Sequence, residues 1–92
     1  MATYQAALMH AERAGEGLYQ FEAESGLVAK SAMETLRAFV ERVETMDHLD
    51  LAEWHVTAVH RDTEKGVVTG MGTFVFGCGD EQPFVCFITE TG

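Results

Sequence analysis

The chain has 92 residues, 47% of them apolar, with six Phe, two Tyr and one Trp. That is enough nonpolar material for one core and too little for two, so residues 1–92 read as a single domain. Fifteen Asp and Glu against six Lys and Arg give a formal net charge of −9, which disfavours nucleic acid and anionic membrane surfaces, since both select clustered cationic side chains.

Basic proteins and metal cations are the partners this sign permits. The opening MATYQAALMHAERAGEG lacks a basic start followed by an apolar run, and no window reaches the roughly 18 apolar residues that cross a bilayer. The expectation is a cytoplasmic protein. Cys78 and Cys86, separated by a loop rich in Gly and Asp, are expected as reduced thiols, buried or in a loop, rather than as a disulfide.

Residues 3 to 11 admit two readings. As a strand, Tyr4, Ala6 and Leu8 line up with Tyr19, Phe21 and Ala23 across a hairpin closed by Glu12 to Gly17. As a helix, Tyr4, Ala7, Leu8 and Ala11 share a face, and the Ala, Gln, Leu and Met content suits it. Gly15 and Gly17 stand where a hairpin needs them and the aromatic rows match, which favours the strand. LYQFEAE (18 to 24) alternates Tyr19, Phe21 and Ala23 with Gln20, Glu22 and Glu24, the pattern of a strand with one wet face.

The clearest element is a helix over 31 to 46. Ser31 and Glu34 have the spacing of a capping box, in which each side chain satisfies an amide of the first turn. Ala32, Leu36, Phe39, Val43 and Met46 recur at steps of three and four, with Met33 and Val40 widening the stripe. Glu34, Arg37, Glu41 and Glu44 form the other side, and Arg37 is placed to pair with Glu34 and Glu41. The helix is expected to end by Met46, with Asp47 or His48 turning the chain.

Three strands are predicted next: EWHVTAVHR (53 to 61), with Trp54, Val56 and Ala58 opposed to His55, Thr57 and Val59; VVTGMGTFVF (67 to 76); and FVCFIT (84 to 89). Asp62 to Gly66 and Gly77 to Pro83 join them as hairpin loops. The fold class is α+β: an antiparallel sheet of four or five strands in the order ββαβββ, with one long amphipathic helix on one face.

Chemistry is sought first in ETMDHLDLAEWH (44 to 55), which has four acids, two histidines and no Lys or Arg. Asp47, His48, Asp50 and His55 are candidate ligands for a divalent metal. There is no helical H-x-x-x-H, calcium-loop pattern or CxxC, so the run reads as a solvated connection with Leu49 and Leu51 turned inward, and no metal site is expected. Cys78, between Gly77 and Gly79, has the look of a nucleophile on a tight turn with His55 or His60 as base. A strained elbow leads into a helix, however, and this one leads into a strand. His10 beside Tyr19 reads as an ordinary contact. Gly70 and Gly72, on one side of a strand with Phe74 and Phe76, have no following helix to bind phosphate, and are read as a trough for close packing. Neither a catalytic group nor a cofactor is expected.

The last two predicted strands are apolar on both sides, and one helix covers one side. Val67, Met71, Val75, Val85 and Phe87 therefore need another cover, and a second copy is the commonest one. The sequence reads as a non-enzymatic interaction protein that dimerises through these five residues. Asp47, Asp50 and Glu53 form a rim that a basic protein partner would meet. Two other readings stand beside it: a small-molecule or metal site between helix and sheet near Trp54, His55 and His60, and an acidic inhibitor that imitates nucleic acid.

Overall fold

A computed structural model describes residues 1–10, 16–46 and 50–92. Its elements are β1 (Ala2–His10), β2 (Glu16–Ala23), α1 (Leu27–Lys30), α2 (Ala32–Met46), β3 (Leu51–Asp62), β4 (Val67–Phe76) and β5 (Glu81–Glu90). The strands form one antiparallel sheet in the order β2-β1-β5-β4-β3. The α+β class and the helix on one face are as expected, with five strands and a short extra helix. No helix among the described residues is long and apolar enough to cross a membrane.

Residues 2–10 are a strand. Tyr4 pairs with Phe21 and Ala6 with Tyr19, so the two aromatic rows meet on the inner face, where the Tyr4 and Phe21 rings stack at 5.2 Å. A helix would have divided Tyr4, Ala6 and Leu8 between two faces, whereas the strand buries all three together. Gly17 lies in β2 opposite Leu8 rather than in the loop. The loop residues from Ala11 to Gly15, the links Asp47, His48 and Leu49, and the side chains of His10 and Met46 fall outside the described residues.

β2 leads through a turn into α1, which buries Leu27 and Val28. At Ser31 the backbone becomes extended, with φ −160° and ψ 121°, so α1 ends there, and α2 starts afresh. Only half of the predicted capping box forms. The Glu34 amide donates to Ser31 Oγ at 3.2 Å, but the Ser31 amide already donates to the Leu27 carbonyl at 2.8 Å and has no need of Glu34. Leu36, Phe39, Val40 and Val43 are fully buried, and Phe39 meets Tyr19 and Phe21 with ring centroids 5.7 and 5.8 Å away.

Met33 departs from the expectation: it is exposed, on the rim of the helix. Neither predicted Arg37 ion pair forms. Among the described residues the ion pairs are Lys30 with Glu24 and His55 with Glu53.

Over the other half of the sheet, Leu36 rests on Gly70, where a Cβ would stand 2.8 Å from Leu36 Cδ1. The predicted trough is real there and it receives the helix. Gly72 serves a different neighbour, since a Cβ would run into the backbone carbonyl of His55 on β3. Phe74 and Phe84 stack beside it at 4.1 Å.

β3 breaks its expected alternation. The pairing with β4 shifts between Leu51 and Glu53 and again between Val56 and Ala58. The second shift inserts Thr57 as an extra residue, so Val59 packs on the core side while Ala58 turns out.

Candidate interaction surface

Pairing register decides which side chains share a face, because residues directly opposite each other on neighbouring strands point the same way. One row on the side away from α2 runs Leu18, Ala7, Phe87, Thr69, His60 across all five strands. The row beside it includes Met9, Val85 and Met71, and the one on the other side runs Gln20, Gln5, Thr89, Val67, Asp62.

All five residues expected at an interface lie on this outer face. Met71 and Phe87 are each 43% exposed, and Val67, Val75 and Val85 are half-buried among neighbouring side chains. The sequence reading missed that the apolar area reaches the first hairpin, where Met9 is 46% and Leu18 81% exposed. The signal was present in the phase of residues 3 to 9, since a strand that turns Tyr4, Ala6 and Leu8 inward must turn Ala7 and Met9 outward.

Ala7 stands between Leu18 and Phe87 in its row. One small side chain between two large ones leaves a trough of about 640 Å3, lined by Gln5, Ala7, Leu18, Gln20, Phe87 and Thr89 among others. The outer face of the three middle strands, over Thr3 to Met9, Pro83 to Thr89 and Val67 to Thr73, carries no formal charge, and Val75 beyond it lies between Glu53 and Glu81. Since 23% of the chain is charged, this neutrality belongs to the face and not to composition.

The acids sit at the margins. Asp50, just before β3, is exposed and its carboxylate lies over Gly77, whose amide donates to the Asp50 carbonyl at 2.7 Å. Glu53 is exposed on β3 with His55 Nε2 at 3.3 Å. Asp47, the third rim residue of the sequence reading, lies outside the described residues.

Trp54, His55 and His60 do not share a pocket between helix and sheet. Trp54 packs half-buried against the core, opposite Phe74, whereas His55 and His60 pair with Thr73 and Thr69 on the outer side. Among the described residues no group of three His, Cys, Asp or Glu is arranged to hold a metal ion.

Both cysteines are free, Cys78 exposed in the β4–β5 turn and Cys86 buried. His60, opposite Thr69, is roughly 20 Å of strand from the end of β4 that carries Cys78, too far for a nucleophile and its base. Burial pushes the Cys86 thiol up to about 12, against a smaller opposing effect of its hydrogen bond with the Gly70 backbone.

A second cleft of about 450 Å3 lies where the α1 turn meets the β3–β4 hairpin, with Gly26, Thr63, Lys65 and Glu90 on its walls. Its carboxylate is already engaged: Glu90 Oε1 accepts from the Tyr4 hydroxyl and the Gly26 amide, each at 2.9 Å. The Tyr4 hydroxyl shares its one proton between Glu90 and the Glu24 carbonyl, which lies at 2.5 Å, and accepts from the Leu27 amide at 3.3 Å. This network fastens α1 to the sheet.

Compared with known proteins, the chain matches no family model, no curated protein and no solved structure. A functional reading therefore rests on the chemistry of the surfaces described above.

Proposed function

We propose that this chain is a small non-enzymatic interaction protein that works as a homodimer joined through the outer face of its sheet, Val67, Met71, Val75, Val85 and Phe87 included. The observation that carries this reading is the combination of exposed Met9, Leu18, Met71 and Phe87 with the absence of formal charge between them. A basic partner would find no acid among these four, whereas Val75 lies between Glu53 and Glu81 at one end of the face. A second copy of a chain with net charge −9 can approach a neutral face while its acids stay at the periphery.

Size supports the reading as well. The molecule extends 37 × 23 × 22 Å. Five strands spaced about 4.8 Å apart and about 33 Å long present a whole face of roughly 800 Å2 in projection, large enough to hold one side of a standard interface, which buries about 800 Å2 of accessible surface. We place the dimer in the cytoplasm, where an exposed free thiol such as Cys78 stays reduced. Asp50 and Glu53, with Asp47 beside them in sequence, form a rim that steers a basic protein toward the dimer.

Sedimentation velocity across a range of concentrations tests the proposal. The wild-type chain is expected to pass from monomer to dimer at micromolar concentration. Met71→Asp and Phe87→Asp are expected to remain monomeric with an unchanged circular dichroism spectrum. A wild-type chain that stays monomeric at millimolar concentration would overturn the reading.

A further inference from the structure

We propose, building on the homodimer reading above, that the two-fold axis runs along the seam between β1 and β5, so that each β1 residue of one copy faces the β5 residue that neighbours it in its own copy. Two sheets stacked face to face are related by an axis lying in the plane between them, because an axis perpendicular to the sheets would leave both copies in one layer. Such an axis exchanges whatever lies at equal distances on its two sides. Self-complementarity then demands that large side chains on one side match small ones on the other.

The β1–β5 seam meets that demand. Ala7 pairs with Phe87, Gln5 with Thr89 and Met9 with Val85. Across an axis on this seam, Phe87 of each copy enters the trough above Ala7 of the other. Met9 lies against Val85, and the Gln5 amide meets the Thr89 hydroxyl.

The remaining strands follow. β2 lies over β4 of the second copy, which sets exposed Leu18 against Thr69, the residue next after Phe87 in its row, and the Glu16 position against Met71 at the margin of the contact. β3 projects beyond the contact, carrying Glu53, His55 and Asp62 away from it. Four strands remain in contact, roughly 600 Å2 in projection and more in accessible area because side chains stand out of the plane. An axis inclined about 15° to the strands gives the roughly 30° crossing that twisted sheets adopt when they pack in layers about 10 Å apart.

The seam next to it fits less well. An axis between β5 and β4 would face Met71 with Val85 but would also set Phe87 against Thr69 and leave the Ala7 trough to Thr69's outer neighbour, His60. That would put an imidazole in the apolar notch.

A mixing experiment tests the axis. Ala7→Phe puts a ring where the opposing Phe87 must enter, and Phe87→Ala leaves the trough unfilled. Each variant alone is expected to dimerise at least about tenfold more weakly than wild type. Mixed in equal amounts, they are expected to form a heterodimer in preference to either homodimer. In that pair the intact Phe87 meets an intact Ala7, and the introduced ring meets the alanine that replaces Phe87. Native mass spectrometry with one variant isotopically labelled reads the species directly. Met9→Ala mixed with Val85→Met repeats the test on a neighbouring pair and serves if Ala7→Phe does not fold.

Preferential heterodimers in either mixture support the seam axis. A wild-type dimer that Met71→Asp abolishes, with mixtures that favour no heterodimer, would overturn the axis and leave the homodimer standing. A wild-type chain that never dimerises would overturn both.

Discussion

The thiol of Cys86 lies in the core beneath α2, beside the backbone of Gly70. Burial disfavours the thiolate and raises its ionisation to about 12, whereas an unfolded chain ionises a thiol near pH 8.5. The folded state therefore holds its proton longer, and the contribution to stability is complete below about pH 8.5 and is lost as pH rises toward 12. Cys86→Ala is expected to lower stability at pH 7 and to flatten its alkaline decline. Between pH 9 and 11, urea unfolding of wild type should show an additional loss of about 1.4 kcal/mol per pH unit that the variant does not. Burial raises Tyr4 as well, reinforced by the Glu90 and Glu24 charges against the opposing bond from the Leu27 backbone. It adds a loss of the same sign at higher pH, common to both proteins. That one cysteine is core and the other loop was legible from Cys86 lying within an apolar run and Cys78 between glycines.

Elements were readable where a period had room to show itself. α2 spans 15 residues, and its stripe of Leu36, Phe39 and Val43 identified both helix and buried face. α1, with four residues, is shorter than any window that separates a helical period from a strand. Spacing alone puts Met33 on the stripe, but its position at the margin of the face leaves it exposed. In β3 the composition gave the strand, but nothing local announced that Thr57 would be an extra residue. It stands two residues after His55, whose carbonyl approaches Gly72 so closely that no Cβ would fit. The two glycines on β4 consequently differ. Gly70→Ala crowds Leu36, a side chain that can shift, and is expected to cost about 1–3 kcal/mol. Gly72→Ala meets backbone, which moves only by opening the β3–β4 ladder, and should cost more than Gly70→Ala by at least about 1 kcal/mol in chemical denaturation. Equal losses would show that the close approach at His55 yields easily.

At the scale of the molecule, the excess of apolar strand surface over helix was visible in sequence, and the five residues first singled out do lie on the uncovered face. The outward phase of Ala7 and Met9 was legible too, but that they and Leu18 adjoin Phe87 was not, because it depends on the pairing of β1 with both β2 and β5. A chain that couples folding to association should gain stability with concentration. The thermal midpoint of wild type is expected to rise by a few degrees between about 5 and 500 μM, while that of Phe87→Asp stays constant. Asp50→Lys combined with Glu53→Lys should leave the wild-type rise intact if the contact is the proposed one along β1 and β5, which lies away from β3. Loss of the rise in that variant would place the interface on the acidic rim.

The two shifts of register along β3 have one more effect. An outermost strand exposes unpaired amides and carbonyls to any similar strand that drifts past, and a long straight one invites endless lateral growth. β3 is twelve residues long, but its irregularities near Leu51 and Val56 break the straight ladder that such growth would extend. The same residue that interrupts the alternation at Thr57 thus breaks the regular edge that lateral pairing needs.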